Sequence, residues 1–124
     1  MKGVILAGGF GTRLKPLTIQ RPKPMVPVAN RPIMEHTVEL LKRHGITDLV
    51  AILYFQPEQI MRYFGDGAAF GVRMQFVIAD AVYGTAGAVR YAGERVLVLS
   101  GDVLTDFDLG AALAEHEARG AEAT

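Results

Sequence analysis

A chain of 124 residues is one domain by length, large enough for a real core but near the small end for an α/β enzyme. Hydrophobic residues make up 50%, charged residues 21%, and the formal net charge is zero, which excludes a disordered chain and leaves no bulk attraction to nucleic acid or an anionic membrane. The chain has no cysteines, which excludes disulfides, thiol catalysis and thiolate zinc sites.

The opening Met-Lys-Gly-Val-Ile-Leu is too short and too weakly charged for a signal peptide. No apolar run approaches the ~20 residues that span a bilayer. A cytoplasmic protein is expected. Lys2 to Ala7 is a continuous, branched apolar run stopped by Gly-Gly, the pattern of a strand buried in a parallel sheet. Gly8 to Arg31 has no period and is dense in Gly and Pro. The 27 residues from Leu6 to Pro32 hold five of the six prolines together with Gly8, Gly9, Gly11, Arg13 and Lys23. A loop of that length in a compact domain is expected to be functional, and its composition suits a polyphosphate better than packing.

Pro32 suits the first position of a helix. From Ile33 to His44, the residues Ile33, Met34, Thr37, Val38 and Leu41 form an apolar face, with Glu35, Glu39, Lys42 and Arg43 largely outside it and Gly45 as the cap. Asp48 to Leu53 reads as a second buried strand. Pro57 opens a short helix to about Phe64, ended by Gly65. Arg73 to Ala79 is a third strand, Thr85 to Ala92 a short helix, and Arg95 to Leu99 a fourth strand running into Ser100-Gly101-Asp102. A last helix starts near Asp106 or Asp108, either of which can cap it, and ends at Gly120.

This alternation predicts an α/β fold: a Rossmann-like, mostly parallel sheet with helices on both faces. Ligands in such sheets sit beyond the carboxyl ends of the strands. Three of those ends carry chemistry-bearing residues: Gly8 to Arg13, Asp80 to Thr85, and Gly101-Asp102. After Gly120 the chain leads toward where another strand is expected, so residues 1–124 read as part of a longer protein.

Two familiar phosphate loops fail against this sequence. From Gly9 the chain runs Gly-Phe-Gly-Thr-Arg-Leu, without the third glycine of the dinucleotide fingerprint, and no glycine is followed by Lys-Ser or Lys-Thr as a P-loop requires. Pro16 also prevents a helix from following at once, so turn amides and side chains are left to hold the phosphates. The stretch GGFGTRLKPLT, followed by RPKPMVPVANRPIMEH, resembles the signature of the sugar-1-phosphate nucleotidyltransferases. Gly84-Thr85-Ala86-Gly87-Ala88 and the run from Gly101 to Leu109 extend the resemblance across essentially the whole chain. It is most similar to the mannose-1-phosphate guanylyltransferase branch. Glucose-1-phosphate thymidylyl- and uridylyltransferases share the first motif.

The resemblance implies a reaction between a nucleoside triphosphate, with GTP favoured, and a sugar 1-phosphate, with mannose 1-phosphate favoured, giving an NDP-sugar and pyrophosphate. The nucleophile is a phosphate oxygen already ionised at neutral pH. Repulsion between anions is the obstacle, and positioned positive charge is what lowers it, at about 3 kcal/mol for each well-placed donor. The implied catalytic residues are Arg13, Lys23 and Asp102. The implied nucleotide contacts are Leu6, Ala7, Gly8, Gly9, Gly11, Thr12, Arg13, Gly84 and Thr85. The glycines admit backbone amides without an intervening Cβ. Arg13 offers its fork to the β- or γ-phosphate, and Lys23 serves the α-phosphate or the sugar phosphate. Asp102 is the implied Mg²⁺ ligand.

Other readings stand beside these. Leu6 and Ala7 also fit as strand core, Gly84 and Thr85 as a helix start, and Asp106 and Asp108 as caps. Asp80 and Tyr83 suit contacts to a base. Lys15 and Arg21 read as surface charge, and His36, His44 and His116 have no ligand spacing. Family members exceed ~200 residues, a domain size ordinary for an α/β enzyme, so the chain is truncated relative to the family. Residues 1–124 then form the nucleotide-binding part of a nucleotidyltransferase domain whose sugar-binding part lies elsewhere. The segment between Gly87 and Arg95 is also shorter than the family pattern. A homo-oligomer is compatible with the resemblance. A different class, a nucleotide-sugar-sensing module without turnover, shares the fold, and the set of Arg13, Lys23 and Asp102 argues against it.

Overall fold

The computed structural model describes residues 1–7, 21–54, 56–79 and 95–124. Four strands form one sheet: β1 (Lys2–Ala7), β4 (Asp48–Leu53), β5 (Arg73–Ile78) and β6 (Val96–Ser100). Two short strands, β2 (Pro27–Val28) and β3 (Arg31–Pro32), form a separate hairpin. The helices are α1 (Ile33–Arg43), α2 (Pro57–Phe64) and α3 (Leu109–Arg119). Three expected strands match within a residue, and β6 lies one residue later than the sequence suggests.

The sheet runs β5-β4-β1-β6 and every pairing is parallel. Side chains alternate across it. Ile5, Ala7, Leu49, Ala51, Leu53 and Met74 face one way, into a core shared with Met34, Val38 and Leu41 of α1, Ile60 and Phe64 of α2, and Leu109 of α3. Val4, Val50 and Ile52 face the other way, with Leu6, Val77, Val96 and Val98 packed beside them. Strands apolar on both faces explain why the sequence shows runs rather than alternation. All three described helices line the first face. The expected helix Thr85–Ala92 lies outside the described residues.

Three expectations need correction. The stretch 21–31 is not plain loop. Lys23–Met25 form one turn of 3-10 helix, and the hairpin closes through Ala29 and Asn30, both at positive φ (52° and 64°). Two consecutive left-handed residues match the twist of a two-residue hairpin. Glu35 is not outside the apolar face of α1 but buried, at 6% exposure. Pro32 ends the hairpin and precedes α1 rather than opening it. The remaining boundaries follow the expected chemistry: Gly45 turns at φ 78° after α1, and Asp108 caps α3, its Oδ1 accepting from the Ala111 N–H at 3.0 Å.

Candidate functional site

The sheet order places its fourth strand beside its first, so the winding reverses between β1 and β6. The crevice beyond the carboxyl ends at such a reversal is the usual ligand position in open α/β sheets. Here it lies between Ala7, the last residue of β1, and Gly101-Asp102, which follow β6.

Gly101 is tied to β1 by a hydrogen bond from its N–H to the Leu6 carbonyl at 2.9 Å. A Cβ at Gly101 would stand 3.0 Å from Ile5 Cγ2 and 3.3 Å from Ala7 Cβ. The close approach of this turn to β1 favours glycine, and the hydrogen bond to Leu6 fixes where Asp102 emerges.

Lys23 reaches the same place from the other side. Its 3-10 turn is held by the Met25 N–H to Pro22 carbonyl bond at 2.9 Å and the Val26 N–H to Lys23 carbonyl bond at 3.1 Å. Pro22 and Pro24, on either side of Lys23, are both fully buried. The ammonium Nζ lies 2.7 Å from Asp102 Oδ2, with the two side chains 32% and 29% exposed. A part-exposed pair of this kind contributes only about 0–1 kcal/mol to stability. Folding alone gives little reason to set a cation and a carboxylate at a strand-end crevice.

The structure thus brings Lys23 and Asp102 into contact, with Leu6 and Ala7 at the adjacent strand end. Leu6 is half-buried and Ala7 fully buried, and the Leu6 carbonyl is engaged by Gly101. Gly8, Gly9, Gly11, Thr12, Arg13, Lys15, Asp80, Tyr83, Gly84 and Thr85 lie outside the described residues. Arg21 is exposed and borders an open groove with Met25, Gln59, Arg62 and Tyr63. Two of the histidines tie elements together: His36 Nε2 donates to the Val28 carbonyl at 2.8 Å, and His44 Nδ1 accepts from the Gly110 N–H at 3.3 Å. Asp106 is exposed and Asp108 is the cap of α3.

Among the described residues no group of three or more His, Cys, Asp or Glu side chains gathers as a metal cage. A magnesium ion does not need one. It is commonly held by one or two carboxylates, water and substrate phosphates. Asp102, part-exposed at a strand end, fits a single-carboxylate ligand.

Sequence reasoning missed one polar cluster. The Tyr63 hydroxyl donates to Glu35 Oε1 at 2.5 Å, and Arg31 Nε lies 3.3 Å from Glu35 Oε2. The hydrogen bond to Glu35, reinforced by burial and the carboxylate's charge and opposed by Arg31, pushes the Tyr63 hydroxyl up to about 12. No local pattern reveals this cluster, since Tyr63 and Glu35 are 28 positions apart.

A nucleotidyl transferase family model matches residues 2–124, and the chain belongs to that family. A mannose-1-phosphate guanyltransferase of Gibberella zeae is 39% identical over 133 positions, covering 100% of this chain and 36% of the relative. A UTP–glucose-1-phosphate uridylyltransferase of Synechocystis is 38% identical, again over 100% of this chain and 36% of the relative. Among solved structures, a Bacillus anthracis protein assigned as a glucose-1-phosphate thymidylyltransferase superposes with a TM-score of 0.86 at 33% identity, covering 95% of this chain and 50% of that one. The chain thus spans about a third of the length of these curated relatives. Among the described residues, no helix is long and apolar enough to cross a membrane.

Proposed function

We propose that residues 1–124 are the nucleotide-binding part of a nucleotidyltransferase domain that joins a nucleoside triphosphate to a sugar 1-phosphate. The observation that carries this reading is the Lys23–Asp102 pair, 2.7 Å apart at the β1/β6 crevice of a chain matched throughout by the family. A sugar-phosphate oxygen attacks the α-phosphorus of the triphosphate. A new P–O bond forms, the bond from the α-phosphorus to the bridging oxygen breaks, and pyrophosphate leaves with that electron pair. No proton need be removed from the nucleophile.

The task of the chain is to hold three anionic groups together. Lys23, set by its buried prolines, presents a positive charge to the α-phosphate or the sugar phosphate. Arg13 grips the outer phosphates through its forked donors, and Gly8, Gly9, Gly11 and Thr12 offer backbone donors to the same groups. Leu6, Ala7, Gly84 and Thr85 border the nucleoside. Asp102 is the carboxylate that would hold Mg²⁺, which when bound supplies charge neutralisation at the phosphate oxygens.

GTP and mannose 1-phosphate are the favoured pair, supported by the several relatives named as mannose-1-phosphate guanyltransferases. A second reading, glucose 1-phosphate with UTP or dTTP, is supported by the Synechocystis and Bacillus anthracis proteins. A triphosphate substrate favours the cytoplasm as the place of work. The test is pyrophosphate release by the complete polypeptide with Mg²⁺, each nucleoside triphosphate in turn, and mannose or glucose 1-phosphate. The highest kcat/KM is expected with GTP and mannose 1-phosphate. Binding without release for every pair would replace the enzyme reading with a sensing module. Arg13→Ala and Asp102→Asn should each lower kcat by about 10²- to 10³-fold with the fold intact.

A further inference from the structure

We propose that Glu35 is the positioning residue for Lys23: its buried carboxylate clamps the arm that carries Lys23 to both α1 and α2, so that the ammonium stands at Asp102. The proposal rests on the role given to Lys23 above.

Glu35 is the one acidic residue among the buried polar groups described, at 6% exposure. A carboxylate in a core costs several kcal/mol unless its oxygens are matched by donors. Both oxygens of Glu35 are matched, each by a different element. Oε1 accepts the Tyr63 hydroxyl of α2 at 2.5 Å, and Oε2 faces Arg31 Nε of β3 at 3.3 Å. With both oxygens engaged, Glu35 is poorly placed to ligate a metal, and the reaction calls for no general base.

The clamp acts on the arm through short chain distances. The Ile33 N–H donates to the Val26 carbonyl at 3.0 Å and His36 holds the Val28 carbonyl, so the hairpin is stitched to the start of α1. Among these ties only Glu35 also reaches α2. The Lys23–Met25 turn packs against both of those helices. Loosening α2 from α1 at Tyr63 therefore loosens the shelf under the turn. The short bond to a charged acceptor is of the strong kind, and the raised Tyr63 hydroxyl keeps its proton as the donor. A displacement of about 1 Å at a reacting group can cost 10²-fold.

The first measurement is kinetic. Glu35→Ala should lower kcat by about 10- to 100-fold with little change in KM for the triphosphate. In a Lys23→Ala background the same substitution should change kcat by less than about twofold, because a residue acting through Lys23 has nothing left to position. Equal losses in the two backgrounds would overturn the proposal. Glu35→Gln, which keeps an acceptor for Tyr63, should recover part of the loss.

The second measurement needs no turnover. The chain has four lysines, Lys2, Lys15, Lys23 and Lys42. After reductive ¹³C-methylation, the Lys23 resonance should shift in Glu35→Ala to the position it takes in Asp102→Asn. An unmoved Lys23 resonance contradicts the clamp, even if the wild-type protein releases no pyrophosphate and the proposed reaction itself fails. Tyr63→Phe removes one hydroxyl from a ring already 40% exposed and gives the same two tests if Glu35→Ala does not fold.

Discussion

The two partners of the central ion pair are mounted differently. Lys23 stands between two fully buried prolines on a turn packed against α1 and α2, with a hairpin stitched behind it. Asp102 follows the sheet-edge strand β6, is anchored one residue earlier by Gly101, and leads into residues 103–107, where Val103, Leu104 and Phe107 are 50%, 56% and 62% exposed. Among the described residues, the cation stands on a packed turn and the carboxylate on a turn with fewer partners. A preset charge does not have to reorganise as the reaction proceeds.

The sharpest way to break this contrast is to remove bulk on each side. Ile60 of α2 is fully buried beneath the Lys23 side, and Ile60→Ala should lower unfolding free energy by about 2–5 kcal/mol in denaturant titration. Leu104→Ala, on the open side, should stay within about 0.5 kcal/mol. Comparable losses would mean that the two sides are equally built. Next in size is the cap of α3. Asp108→Ala removes the acceptor for the Ala111 N–H and should cost about 1 kcal/mol in the same assay. The smallest effect concerns pH. Because Tyr63 is raised from 10.0 to about 12 in the folded state, its contribution is complete below its unfolded value and fades as pH rises toward about 12. Absorbance titration should find one tyrosine ionising late, and Tyr63→Phe should remove both that step and the matching loss of stability.

Much of the scaffold was legible because its strands are buried on both faces. Lys2–Ala7 and Asp48–Leu53 appear as unbroken apolar runs, and Pro57 and Gly65 punctuate α2. The hairpin was not legible. Its turn is Ala29-Asn30, without the glycine that usually announces two left-handed residues. Glu35 was misplaced for a related reason. Helical periodicity assigns a glutamate to the polar face, and only Tyr63, brought over by α2, makes its burial tolerable. In the site, Lys23 and Asp102 were legible as residue types through their motifs. Their contact was not, because it depends on the sheet order that sets β6 beside β1. The roles of Gly8 to Arg13, Gly84 and Thr85 rest on the motif alone.

The central claim is that Lys23 and Asp102 face each other in order to handle phosphates, not to hold the fold. Exchanging them in the double variant Lys23→Asp/Asp102→Lys keeps an ion pair at the crevice while putting each charge on the wrong mount. The account predicts a protein that melts within a few degrees of the wild type and binds its triphosphate weakly. Its pyrophosphate release should fall by at least about 10²-fold, the usual scale for one misplaced charge at a reacting group. Turnover restored to the wild-type rate would contradict the account and make the pair a structural salt bridge.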